Sequence, residues 1–135
     1  MRPAGVLESA LYVDDLDEAE RFYTEILGLE IITRAPGRHV FLRCGGSVIL
    51  LFDPAATEVP PPEGALPVPP HGARGPGHLC FRAEAHEIEA WAARLCAAGV
   101  AIESAFAWPQ GGRSIYFRDP AGNSLEFAEP RIWGL

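Results

Sequence analysis

The side chains able to do chemistry in this chain are unevenly chosen. All eleven basic residues are arginine, and lysine is absent. Without an ε-amine, the chain cannot form a Schiff base with a carbonyl or with pyridoxal phosphate, nor complete a Walker-type phosphate loop. Cys44, Cys80 and Cys96 are too scattered for a disulfide framework and form no CxxC pair. They are expected to be reduced thiols in a cytoplasmic protein. Glu126 stands between Leu125 and Phe127 in an apolar stretch. A carboxylate there is costly unless it is neutralised or reached by water.

These residues fall into sets once strand alternation is applied. His78 shares a face with Cys80 and Arg82, Glu126 with Ser124 and Ala128, and Glu8 with Ala10 and Tyr12. Arg82 offers a planar fork either to a substrate carboxylate or to a neighbouring acidic side chain. Tyr12 either donates to a substrate oxygen or packs. With no lysine, proton transfer falls to a carboxylate, His78, Tyr12 or metal-bound water. His39 and Phe41 share a face, and Tyr116 repeats Phe41, so these rings either line a site for a planar ligand or belong to the core.

The elements that position these groups follow from periodicity and punctuation. Val6 to Val13 reads as a strand. Asp14-Asp15-Leu16-Asp17 supplies an N-cap, and a helix follows to Leu27, stopped by Gly28. Leu29 to Thr33, His39 to Cys44 and Ser47 to Phe52 read as strands, the last two turned by Gly45-Gly46. Eight of the thirteen prolines lie between Pro54 and Pro76. This segment reads as an extended linker, with His71 in a stretch where a lid is conceivable. The pattern then starts again, with a strand over His78 to Arg82, a helix over Ala85 to Ala98 stopped by Gly99, and a strand over Val100 to Ser104. Arg113 to Arg118 and Ser124 to Ala128 close it, joined by Asp119-Pro120-Ala121-Gly122-Asn123.

The order β-α-β-β-β thus occurs twice, over about residues 5–53 and 77–130, joined by linker 54–76. Gly37 to Arg43 lies over Gly112 to Arg118, and Glu25 to Ile31 over Cys96 to Ile102. The expected fold class is α+β: two βαβββ modules forming one domain shaped as a half-open cup.

The run Val13 to Tyr23 with Ile26-Leu27-Gly28-Leu29, then Gly77 to Phe81, then Phe117 to Phe127 containing Asp119-Pro120-Ala121-Gly122-Asn123, resembles the vicinal oxygen chelate superfamily. That is the glyoxalase, bleomycin-resistance and extradiol-dioxygenase group. The resemblance covers the chain except the linker. It implies metal ligands on the first and last strands of each module, which here are Glu8, His78 and Glu126, with Leu50 at the fourth position. An imidazole and two carboxylates suit Fe2+, Mn2+, Zn2+ or Ni2+ and leave positions for a substrate with adjacent oxygens. Glu8 stands where the common pattern has histidine, and Leu50 removes a fourth ligand, which disfavours glyoxalase I activity. Glu126, Tyr12 and Arg82 are the expected catalytic groups.

The implied function is a metal-dependent enzyme of dioxygenase, lyase or isomerase type. The competing reading is a metal-free binder of a small molecule or antibiotic, which the net charge of −7 would suit for a cationic ligand. That charge argues against nucleic acid and anionic lipid as partners. No apolar run approaches the roughly 20 residues of a membrane span. A homodimer is expected from the resemblance.

Overall fold

The computed structural model describes residues 1–135. The chain divides into two compact units, Met1–Gly75 and Pro76–Leu135.

In the first unit, β1 (Glu8–Tyr12) leads to α1 (Leu16–Arg21), which Asp15 caps by accepting the Glu18 N–H. The helix widens into a π-helical turn over Phe22–Ile26, where Leu27 N–H reaches back to the Phe22 carbonyl. Gly28 then takes φ 75°, a left-handed conformation that glycine adopts without steric cost. Strands β2 (Glu30–Ala35), β3 (His39–Cys44) and β4 (Ser47–Phe52) complete a sheet of order β1-β4-β3-β2. The β1–β4 pair is parallel and the others antiparallel. Leu11, Val40, Leu42, Ile49 and Leu51 are buried on one face, and so are Ala19, Phe22, Tyr23 and Leu27 of the helical segment that packs there.

The second unit repeats the plan. Its elements are β5 (His78–Arg82), α3 (Ile88–Ala97), β6 (Ser104–Ala107), β7 (Arg113–Arg118) and β8 (Ser124–Ala128), with sheet order β5-β8-β7-β6. Ile88 and Leu95 of α3 are buried, as are Ile115, Phe117, Leu125 and Phe127, and the Trp91 ring stacks on Phe127 at 4.2 Å. Gly99 ends this helix with the same φ of 75° as Gly28. A 3-10 turn over Pro130–Trp133 lies so close to Gly112 that a Cβ there would stand 2.5 Å from the Ile132 side chain.

The two βαβββ modules and the α+β class are as the sequence pattern predicts. Four local expectations need correction. The strand expected at Val100 to Ser104 lies at Ser104–Ala107. It is placed there by antiparallel pairing with Arg113–Tyr116 and by the fork of Arg118 on Glu103. The helix expected from Ala85 begins at Ile88, because residues 85–87 form a turn in which Glu87 N–H meets the Glu84 carbonyl. The strand expected over Leu29 to Thr33 runs from Glu30 to Ala35.

The fourth correction concerns the start of the proline-rich segment, which is helical rather than extended. Asp53 caps α2 (Pro54–Thr57) by accepting from Ala55 N–H. From there the segment folds back on its own unit. His71 N–H bonds the Thr57 carbonyl at 3.0 Å, and Arg74 pairs with Glu58 at 2.8 Å. No helix is long and apolar enough to cross a membrane.

Candidate functional site

The second unit gathers the densest chemistry on the sheet face opposite α3. Parallel pairing sets Cys80 of β5 opposite Glu126 of β8, and antiparallel pairing sets Tyr116 of β7 opposite the same residue. Glu126 is only 4% exposed. One carboxylate oxygen, Oε2, lies 3.3 Å from His78 Nε2, and the other, Oε1, is buried without a hydrogen-bond partner.

His78 is oriented by its other nitrogen. Nδ1 lies 3.0 Å from the Ser124 carbonyl, which can only accept, so Nδ1 carries the proton and donates. With Nδ1 held by the carbonyl, Nε2 faces the Glu126 carboxylate, the orientation a metal-ligating histidine has when a carbonyl holds its second nitrogen. Tyr116 stacks on the imidazole with ring centres 6.2 Å apart.

The surroundings of Glu126 act on its neighbours. Burial, then the Glu126 carboxylate, pushes the Tyr116 phenol up to about 12. The same two causes push the Cys80 thiol up to about 12. Both groups are thus neutral donors near neutral pH, yet neither satisfies Oε1 in hydrogen-bond geometry.

This donor set fits a cation. Two lone-pair donors 3.3 Å apart have the spacing of neighbouring ligands on one ion, since metal–donor lengths of about 2.1 Å at a right angle give about 3.0 Å. An unpaired buried carboxylate oxygen is a standing cost of about 1–3 kcal/mol that a bound cation would offset. No group of three His, Cys, Asp or Glu side chains is gathered to hold a metal ion, so His78 and Glu126 are a pair.

Glu8 belongs to the first unit, exposed at the start of β1. The strand registers give it the place that His78 has in the second unit. Ala10 is opposite Leu50 and Cys80 opposite Glu126, each two residues beyond Glu8 and His78. Leu50 is correspondingly the counterpart of Glu126, and Phe41 of Tyr116.

The remaining candidates are already engaged. The Tyr12 hydroxyl lies 2.7 Å from His71 Nδ1, and His71 packs edge-on against Phe52 at 4.7 Å. Arg82 forks onto Glu84 at 3.1 and 3.2 Å, the neighbouring-acid alternative. His39 stacks on Phe41 at 4.0 Å. Trp108 donates from its indole to Ser114 at 2.8 Å, and its ring meets Phe106, which stacks on Tyr116 at 5.8 Å.

Strand alternation alone leaves Tyr116 as a lining or core ring and puts Cys80 on the face of His78 without a role. Their position beside Glu126 depends on the β7–β8 and β5–β8 registers. The repeat of Phe41 by Tyr116 was the available signal, because Phe41 faces Leu50 as Tyr116 faces Glu126.

Known proteins are similar to this chain in sequence and in fold. A solved structure of lactoylglutathione lyase from Agrobacterium tumefaciens is 43% identical, with a TM-score of 0.95 and full coverage of both chains. An integron cassette protein from the mobile metagenome of the Halifax Harbour sewage outfall is 29% identical. Its TM-score is 0.74, with 94% of this chain and 99% of that one covered. Among curated proteins, the glutathione transferase FosA of Serratia marcescens is 34% identical over 120 residues, which span 86% of this chain and 74% of that protein. A family profile matches residues 5–127, both β-α-β-β-β repeats included, and by that match the chain belongs to the Glyoxalase/Bleomycin resistance protein/Dioxygenase superfamily.

Proposed function

We propose that the protein is a metal-dependent enzyme acting on a small molecule with two adjacent oxygens, its ion held by His78, Glu126 and Glu8. The observation that carries this reading is the buried Glu126 carboxylate, with one oxygen unpaired and the other 3.3 Å from His78 Nε2. When bound, a divalent ion supplies Lewis acidity that polarises the substrate oxygens. The protein's own part is to fix the His78 ring through Ser124, to exclude water from Glu126, and to keep protons on Tyr116 and Cys80. Tyr116, aligned opposite Glu126, is a donor for a substrate oxygen, while Tyr12 becomes available only when its contact with His71 opens.

Two relatives narrow the search for substrates. The lyase from Agrobacterium and the transferase from Serratia both carry glutathione in their names, so glutathione adducts are the first compounds to assay, ahead of catechol-type substrates for dioxygen chemistry. Leu50 offers no donor at the counterpart of Glu126, which leaves a set of three protein ligands rather than four.

Metal content and a thermal-shift series with Mn2+, Fe2+, Zn2+ and Ni2+ test the proposal through ligand linkage. Wild type should gain stability from at least one ion, and Glu8→Ala and His78→Ala should each lose that gain. If wild type binds none at micromolar levels, the metal-free binding protein becomes the better reading.

A further inference from the structure

The proline-rich segment makes a cavity formed wholly by residues of the first unit. It measures about 530 Å³, within the range of small-molecule pockets. Its walls include Val59, Pro60, Leu66, Val68 and Pro70, and its one charged lining group is Arg38.

Arg38 is unlike the arginines that are already paired. Arg34, Arg74, Arg82, Arg113 and Arg118 each meet a glutamate. Arg38, half-buried in the turn just before β3, meets no carboxylate. Its Nη1 donates to the Ala56 carbonyl at 2.9 Å, which fixes the guanidinium against α2 and leaves its other N–H groups unspent. Its charge is felt nearby, since Arg38, after burial, helps hold His39 below the usual histidine range.

The apolar wall is rigid as well as greasy. Prolines have a fixed φ and little entropy to lose on contact, and the segment is pinned at both ends by the Asp53 cap and the Arg74–Glu58 pair. Leu66 and Val68 remain 81% and 49% exposed. A cleft with apolar walls and one unpaired, positioned guanidinium is complementary to an apolar tail ending in a carboxylate, the anion whose planar fork arginine matches.

We propose that this cleft binds a small amphipathic carboxylate, its tail against the prolines, Leu66 and Val68 and its head on Arg38. The site lies apart from the His78–Glu126 chemistry in sequence and needs no metal. Octanoate and its neutral isostere octanamide are suitable probes, titrated calorimetrically into wild type, Arg38→Gln, Arg38→Lys, Leu66→Asp and Glu126→Gln. Wild type should prefer octanoate by about tenfold, the gain expected for a charge-assisted fork. Arg38→Gln should erase that preference and Arg38→Lys should keep part of it. Leu66→Asp, at an exposed position that folding tolerates, should weaken octanoate binding, whereas Glu126→Gln should not.

The proposal is overturned if octanoate and octanamide bind alike, or if neither binds up to about 10 mM, a free energy of about −2.7 kcal/mol. It is overturned equally if the preference survives Arg38→Gln or disappears in Glu126→Gln. Should Arg38→Gln not fold, an octanoate affinity unchanged in Leu66→Asp overturns it alone.

Discussion

Glu126 and Tyr116 show how one register position concentrates chemistry. The phenol is raised to about 12 by burial and then by the facing carboxylate, so the folded state holds its proton more tightly than the unfolded chain does. The sign follows from linkage. Between the ordinary tyrosine value of about 10 and about 12 the native state binds more protons, so this contribution is complete below pH ~10 and is lost as pH rises toward ~12. Difference absorbance of the phenolate, wild type minus Tyr116→Phe, should therefore show one phenol ionising near 12. Stability of wild type should fall more steeply than that of Tyr116→Phe over the same window. A phenol titrating near 10 would show that neither burial nor the Glu126 carboxylate acts on it. Much of this site was readable beforehand: Glu126 as a misplaced charge in an apolar strand, and His78 on a matching face. Tyr116 was not, because its partner is set by the pairing of two strands across a turn and no single-strand alternation contains that information.

At the scale of elements, the Asp119–Asn123 turn does the most specific structural work. Asp119 accepts from both the backbone and the side-chain N–H of Asn123, and Asn123 Oδ1 accepts from Gly77 N–H at 2.7 Å. Asn123 is 2% exposed, so its replacement leaves buried donors and acceptors unpaired. Asn123→Ala should cost about 2–3 kcal/mol in denaturant unfolding, whereas a cost under about 0.5 kcal/mol would place it among ordinary surface changes. Helix stops at Gly28 and Gly99 and the hairpins were legible, since glycine and apolar stripes report local geometry. The shift of β6 to Ser104–Ala107 was not, because that edge strand is positioned by long-range pairing with β7 and by Arg118 on Glu103.

For the whole chain, the duplication was the most legible property, visible in the order of elements and in matched strands such as His39 to Arg43 over Ser114 to Arg118. Composition misled at the proline-rich segment, because richness in proline reports the absence of ladder donors and not the absence of tertiary contacts. His71 joins this segment to the sheet by its contact with the Tyr12 hydroxyl and by its ring on Phe52. His71→Ala should loosen the segment and raise the rate of limited proteolysis within residues 58–75. Tyr12→Phe, which keeps the ring and loses the hydroxyl, should give a smaller rise. Mass mapping of the first cleavage sites checks this, and identical rates in all three proteins would show that the prolines alone hold the segment.

The tether from Asn123 to Gly77 also makes the reactive face sensitive to counting errors elsewhere. Side chains alternate along β8, so sliding it by one residue would exchange Glu126 for Leu125 or Phe127 beside His78 and send the carboxylate toward the helix. A single insertion or deletion between Arg118 and Ser124 would therefore turn Glu126 away from His78 while leaving both residues in the sequence. The turn, which carries no reactive group, guards the reading frame of the site.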